Sequence, residues 1–182
     1  MSSNILSRRI PIKNFSLIFF GAQKNLGSTG ITVVIVKKSL LPPSMPSAIP
    51  DPAEKTCLYN TLSIFDVYIA GLVLKKLLAS FPDKIDGQEA VANKKAKLIY
   101  EALESQPDAY RIVPRASQPI PDEHLLPCYQ AEKAFLEKSK QQNLEGLKGH
   151  RSVGGIRASN YNAIPLEGAE KLAKFISQFA KE

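Results

Sequence analysis

Two apolar runs joined by a short glycine-containing link restrict the folds open to this chain. Phe15 to Ala22 contains Leu17-Ile18-Phe19-Phe20, and Ile31 to Val36 is an almost unbroken β-branched series. Such residues favour strands. Continuous rather than alternating apolar runs mark strands covered on both faces, as inside an α/β sheet. The link from Lys24 to Gly30 is too short for a parallel crossover, so the two strands are antiparallel if they are neighbours. Strands of this kind need helices on both faces and more strands beside them. Little before Phe15 supplies either, so the expectation is that a piece of the domain lies upstream of this sequence.

The remainder alternates helices with proline-rich and glycine-rich segments, without internal repeats. Five prolines between 42 and 52 (Pro42, Pro43, Pro46, Pro50 and Pro52) mark a loop or extended arm. A helix is predicted from about Ser63 to Ser80, with Phe65, Tyr68, Ile69, Leu72, Val73, Lys76 and Leu77 at helical spacing, only Lys76 being polar, and Phe81-Pro82 as its stop. Asp86-Gly87 opens a second helix to about Ser105. Its stripe is Val91, Leu98, Ile99 and Ala102, and its lysines and glutamates face water. Tyr110 to Val113 reads as a short strand, residues 114–130 as irregular because of four prolines, and Ala131 to Asn143 as a polar helix. A glycine-rich stretch from Leu144 to Asn162 precedes a last helix from about Leu166, which buries Ala169, Leu172, Phe175, Ile176 and Phe179, with Pro165 suited to its first turn. The class is α/β. Residues 86–182 form a small α+β domain and 1–85 belong to another.

Composition removes several classes of function. The net charge is +7, but Lys and Arg are spread along the chain with no run longer than a pair. This fits a solvated basic surface or a small anionic ligand better than nucleic acid, for which no module or dense basic stripe is present. Cys57 and Cys128 make neither a disulfide framework nor a metal cluster, so no metal is expected, and a reducing compartment fits. No signal-peptide core and no membrane-length apolar stretch occur, which reads as cytoplasmic.

Three places carry chemistry. Lys24 follows an apolar strand and precedes Asn25, Gly27 and Gly30. An ammonium near buried apolar surface loses hydration, which favours the neutral amine that attacks a carbonyl, and the glycines let backbone approach a ligand. An ordinary lysine at a strand-to-turn boundary has the same local sequence. The segment from Gly149 to Ser159 sets His150, Arg151 and Arg157 among glycines. Arginine recognises carboxylate and phosphate through paired hydrogen bonds, so the segment suits an acidic small molecule, or else is an exposed basic loop. Asn60-Thr61 precedes a helix start, where its side chains could hold a phosphate or merely cap the helix.

The strings FGAQKNLGSTGITVVIVKKSLL, YNTLSIFDVYIAGLVLKKL and LKGHRSVGGIRASNYNAIPLEGAEKLAKFISQF, in that order, resemble the C-terminal half of the phosphoserine aminotransferases, a group within the class V aminotransferases. The last string is the most specific, through its GHR, GGIRAS and YNA elements. The resemblance implies a fold type I pyridoxal-phosphate transferase, with 1–85 as the C-terminal part of the cofactor-binding large domain and 86–182 as the small domain. It implies that Lys24 binds pyridoxal 5'-phosphate covalently and moves protons, and that Gln23 lies by the cofactor phosphate. Asn60 and Thr61 would reach that phosphate across a homodimer interface. His150 and Arg151 would hold the substrate phosphate, and Arg157 its carboxylate. The implied reaction converts 3-phosphooxypyruvate and glutamate to O-phospho-L-serine and 2-oxoglutarate in serine biosynthesis, and some members also use a phosphorylated hydroxythreonine.

The family carries most of its large domain ahead of the lysine, including an aromatic residue that stacks on the cofactor ring and an aspartate that pairs with the ring nitrogen. Only 23 residues precede Lys24 here. Ser117 to Tyr129 also departs from the family, with prolines where an arginine-containing strand belongs. An alternative reading is a catalytically inactive relative that pairs with a full-length protein. Phosphoserine-dependent turnover by these 182 residues alone is therefore expected to be weak. A rate typical of transaminases from the purified polypeptide, measured as 2-oxoglutarate consumption, would refute that.

Overall fold

The apolar runs form an antiparallel pair. The computed structural model describes residues 5–40, 61–112, 125–150 and 154–181, with only the backbone for 125–130 and His150. Strand β1 is Leu17–Gly21 and β2 is Thr32–Val36, in the register Leu17 opposite Val36 through Gly21 opposite Thr32. Helices α1 (Ile64–Ser80), α2 (Ile85–Glu104) and α3 (Leu125–Gln141) follow. Then come a hairpin of β3 (Lys148–His150) with β4 (Gly154–Ile156) and a last helix, α4 (Leu166–Phe179). Among the described residues no helix is long and apolar enough to cross a membrane. Two compact units result. The first holds residues 1–90 and 161–163, and the second holds 91–160 and 164–182.

In the first unit the burial expected of the apolar runs is only partly met. Leu17, Phe19, Val34 and Ile35 are exposed, while Ile18 and Phe20 are half-buried. A two-stranded sheet can be covered only where other elements reach it, and its small core is Ala22, Leu26 and Ala70 with Leu6, Phe20, Ile31 and Val33 packed against them. Helix α1 behaves alike. Its predicted face includes Phe65, Tyr68 and Leu72, yet these are exposed, and Ala70 is the buried residue. The helix is apolar around most of its circumference, so burying one edge leaves the others in water. The segment before β1 is held by Arg9, whose Nε donates to Asp86 Oδ1 at 2.9 Å and whose backbone N–H donates to Glu89 Oε2 at 2.9 Å.

The second unit has an aromatic core. Ala102 of α2, Phe135 of α3, Leu147, and Leu172, Phe175 and Ile176 of α4 are buried together. Phe135 meets Phe175 and Phe179 edge-on at 4.8 and 5.1 Å between ring centroids, a geometry that adds to the area buried. Helix α4 buries Ala169, Leu172, Phe175 and Ile176 as its spacing predicts, with Phe179 half-buried. Three local expectations are corrected. Helix α3 starts at Leu125 rather than Ala131, because Pro127 falls in its first turn, where no intrahelical N–H is needed. It ends at Gln141 because Asn143 takes a left-handed conformation (φ 54). Tyr110 to Ile112 form no strand; Tyr110 instead donates its hydroxyl to the Ile176 carbonyl at 2.8 Å. Lys95 does not face water. It is 1% exposed, its Nζ donates to the Ile164 carbonyl at 2.8 Å, and burial pushes its pKa down.

Burial pushes the Tyr110 phenol up to about 12 from its ordinary 10.0. A raised pKa means that its share of stability is complete below pH 10 and is lost as pH rises toward 12. Lys95, shifted the other way, adds stability as pH rises toward 10.5. Comparison with Tyr110→Phe isolates the tyrosine. The variant should cost about 1 kcal/mol at neutral pH and flatten the fall in melting temperature above pH 10. An unchanged alkaline profile would count against the buried hydroxyl.

Candidate active site

Strand β1 ends at Gly21, and the chain turns immediately. Ala22 is buried, Gln23 and Lys24 are exposed, and Asn25 and Leu26 are buried. The turn is tied by the Ala22 N–H to the Ile31 carbonyl at 2.9 Å. It lies against α1. A Cβ on Gly27 would stand 3.0 Å from Ile69 Cγ2 and 3.4 Å from Val73 Cγ2, and Gly27 has φ +123, a conformation that side-chain-bearing residues avoid. Lys24 is thus carried on a pinned turn but is not sunk into apolar surface. Among the described residues its side chain has no hydrogen bond or ion pair.

The neighbouring Asn25 is 2% exposed. Its Nδ2 donates to the Ile5 carbonyl at 2.7 Å, and its Oδ1 accepts the backbone N–H of Asn162 at 2.8 Å. Asn162 Nδ2 donates to the Leu6 carbonyl at 2.8 Å, and its Oδ1 accepts from Gln88 Nε2 at 3.2 Å. The sequence reading passed over Asn25 and Asn162 as functional residues. Their signal was the presence of an asparagine in each of two distinctive strings, AQKN and YNA.

Ser63 occupies the N-cap position of α1, with its Oγ donating to Asp66 Oδ2 at 2.5 Å rather than accepting a backbone N–H, so the capping alternative for Asn60-Thr61 does not hold for Thr61. Thr61 is exposed and precedes the cap. Asn60 lies outside the described residues, as do Arg151, the prolines of 42–52 and residues 113–124.

In the second unit the glycine-rich segment is a hairpin, which the sequence reading did not anticipate. His150 stands opposite Gly154 and Lys148 opposite Ile156. The ladder continues where the Arg157 N–H donates to the Leu147 carbonyl at 2.8 Å. The two strands meet so closely that a Cβ on Gly149 would overlap the Gly154 carbonyl oxygen. The hairpin thereby sets His150 and the exposed Arg157 on one ladder, about 10 Å apart along it at 3.3 Å per residue. Gln23, Lys24 and Thr61 belong to the first unit.

Residues 1–122 match the family model for class V aminotransferases. The chain belongs to the class V aminotransferase family. Within it, the chain is 42% identical over 189 residues to the phosphoserine aminotransferase of Halalkalibacterium halodurans, covering 98% of this chain and 51% of that protein. It is 35% identical over 201 residues to the enzyme of that name from Saccharomyces cerevisiae, covering 100% of this chain and 50% of that protein. The solved phosphoserine aminotransferase from Bacillus circulans subsp. alkalophilus superposes with a TM-score of 0.77 at 37% identity, over 100% of this chain and 52% of that one. The PLP-bound phosphoserine aminotransferase from Trichomonas vaginalis gives 0.73 at 36%, with the same coverage. This class V chain has the fold of the C-terminal half of these proteins and spans about half the length of the curated relatives it matches.

Gly27→Ala should cost more than about 1 kcal/mol, because both its backbone conformation and the α1 side chains oppose a Cβ. The loss should appear as a lower urea midpoint for the first unit. A wild-type midpoint would show that the turn is not pinned on α1.

Proposed function

We propose that the protein to which this chain belongs transfers the amino group of L-glutamate to 3-phosphooxypyruvate, giving O-phospho-L-serine and 2-oxoglutarate in L-serine biosynthesis. The whole-chain likeness to phosphoserine aminotransferases supports this reading. The observation that carries it is that likeness, which includes the turn where Lys24 is rooted beside a buried, hydrogen-bonded Asn25. That arrangement fits covalent attachment of pyridoxal 5'-phosphate. When bound, the cofactor supplies a carbonyl to carry the amino group and a ring to take up charge from the substrate carbon.

Lys24 would hold the cofactor through Nζ and would serve as the base that moves a proton at the amino-bearing carbon. Gln23, Asn60 and Thr61 bind the cofactor phosphate. His150 and Arg151 bind the substrate phosphate, and Arg157 pairs with its carboxylate, a task suited to a guanidinium. A substrate with anionic groups at both ends would be held by these residues in one direction. The protein works as a homodimer in the cytoplasm.

Pyridoxal phosphate followed by borohydride reduction should label Lys24 ahead of the other lysines in peptide mass maps, and Lys24→Ala should remove that label. Label spread evenly over the exposed lysines would sink the assignment.

A further inference from the structure

We propose that Asn25, Asn162 and Gln88 form a clamp that positions Lys24, making Asn162, which lies 137 positions beyond Asn25, a positioning residue for the lysine. The inference rests on the reading of Lys24 as the cofactor-binding residue and adds what holds that residue in place.

The argument begins with what a buried carboxamide requires. Asn25 is 2% exposed and Gln88 is 5% exposed. A carboxamide away from water is costly unless its donors and acceptor meet protein groups. Asn25 meets that need with one bond to the Ile5 carbonyl and one from the Asn162 N–H, at 2.7 and 2.8 Å. The side chain of Asn162 then reaches the Leu6 carbonyl and takes a bond from Gln88 near the start of α2. Four hydrogen bonds thus join the lysine turn, the segment at Ile5-Leu6, the first turns of α2 and the three residues Tyr161–Ala163, all within one unit.

The clamp acts on the residue next to Lys24 and not on Lys24 itself. Among the described residues the Lys24 amine makes no hydrogen bond or ion pair, and a long side chain has many rotamers, so what the fold can fix is its origin. Asn25 fixes that origin from one side, and the contact of Gly27 with Ile69 and Val73 fixes the turn from the other. Apolar packing alone would allow the turn to slide. The directional bonds of Asn25 allow one register, because its oxygen and nitrogen address different partners.

The test uses the full 182-residue chain and its Asn25→Ala and Asn162→Ala variants. Hydrogen exchange is followed in peptides covering residues 22–31 and, as a control, in α4, which packs in its own core. Pyridoxal phosphate labelling is scored as the ratio of Lys24 to Lys37, an exposed lysine of the same unit. Asn25→Ala removes the bonds to the Ile5 carbonyl and from the Asn162 N–H and should speed exchange at 22–31 on the order of ten- to a hundredfold, leave α4 unchanged and lower the Lys24 to Lys37 ratio. Asn162→Ala should do the same to a smaller degree, because its backbone N–H still serves Asn25. Unchanged exchange at 22–31 in both variants overturns the clamp. Faster exchange with an unchanged ratio overturns positioning, and so does equal loss of protection in α4 in both variants. Absence of Lys24 preference in the wild-type chain, with exchange responding as expected, removes the functional reading and leaves only a structural staple.

Discussion

An amide buried beside an exposed amine is the constraint on which the first unit turns. Asn25 is out of water and Lys24, one residue earlier, is in it. The backbone between them has to satisfy both, and it does so because Asn25 has partners on either side. The apolar contacts nearby, from Leu26 to Ala70 and from Gly27 to α1, supply closeness without direction. Direction comes from the polar bonds, which is the usual division of labour between hydrophobic burial and hydrogen bonding. The result is an exposed lysine whose backbone origin is fixed.

The second unit is organised on a different principle. Phe135 meets Phe175 and Phe179 edge to face, and Tyr110 closes the cluster while donating its hydroxyl to a carbonyl of α4. The glycine-rich segment is tied into this core through Leu147, which is buried with the rings. Close approach of β3 to β4 at Gly149 requires a residue without a side chain.

Much of the fold was legible in the sequence where one rule dominated. The 3.6-residue spacing of Ala169, Leu172, Phe175 and Ile176 predicted the buried face of α4, and the short link after Lys24 predicted an antiparallel pair. Family resemblance named the strings that carry the lysine and the arginines. Errors arose where two rules competed. Pro127 reads as a breaker in the middle of a helix but is harmless in a first turn, so the start of α3 was placed late. Lys95 reads as a surface residue on a polar helix, yet a single carbonyl near α4 draws its ammonium inside. Phe65, Tyr68 and Leu72 have the periodicity of a buried face and are exposed, because periodicity reports what a helix can bury and not what is there to cover it. The asparagine clamp was hidden because three of its four bonds end on backbone atoms, which no residue pattern reveals.

The three residues Tyr161–Ala163 belong to the first unit although the chain on either side belongs to the second. The boundary between the units is consequently not a point on the chain. A polypeptide cut after residue 90 would leave a first piece without Asn162 and a second piece carrying three residues foreign to it. Moving the lysine turn into another chain therefore means moving a fragment from near the far end of the sequence with it, because the two are joined in one unit.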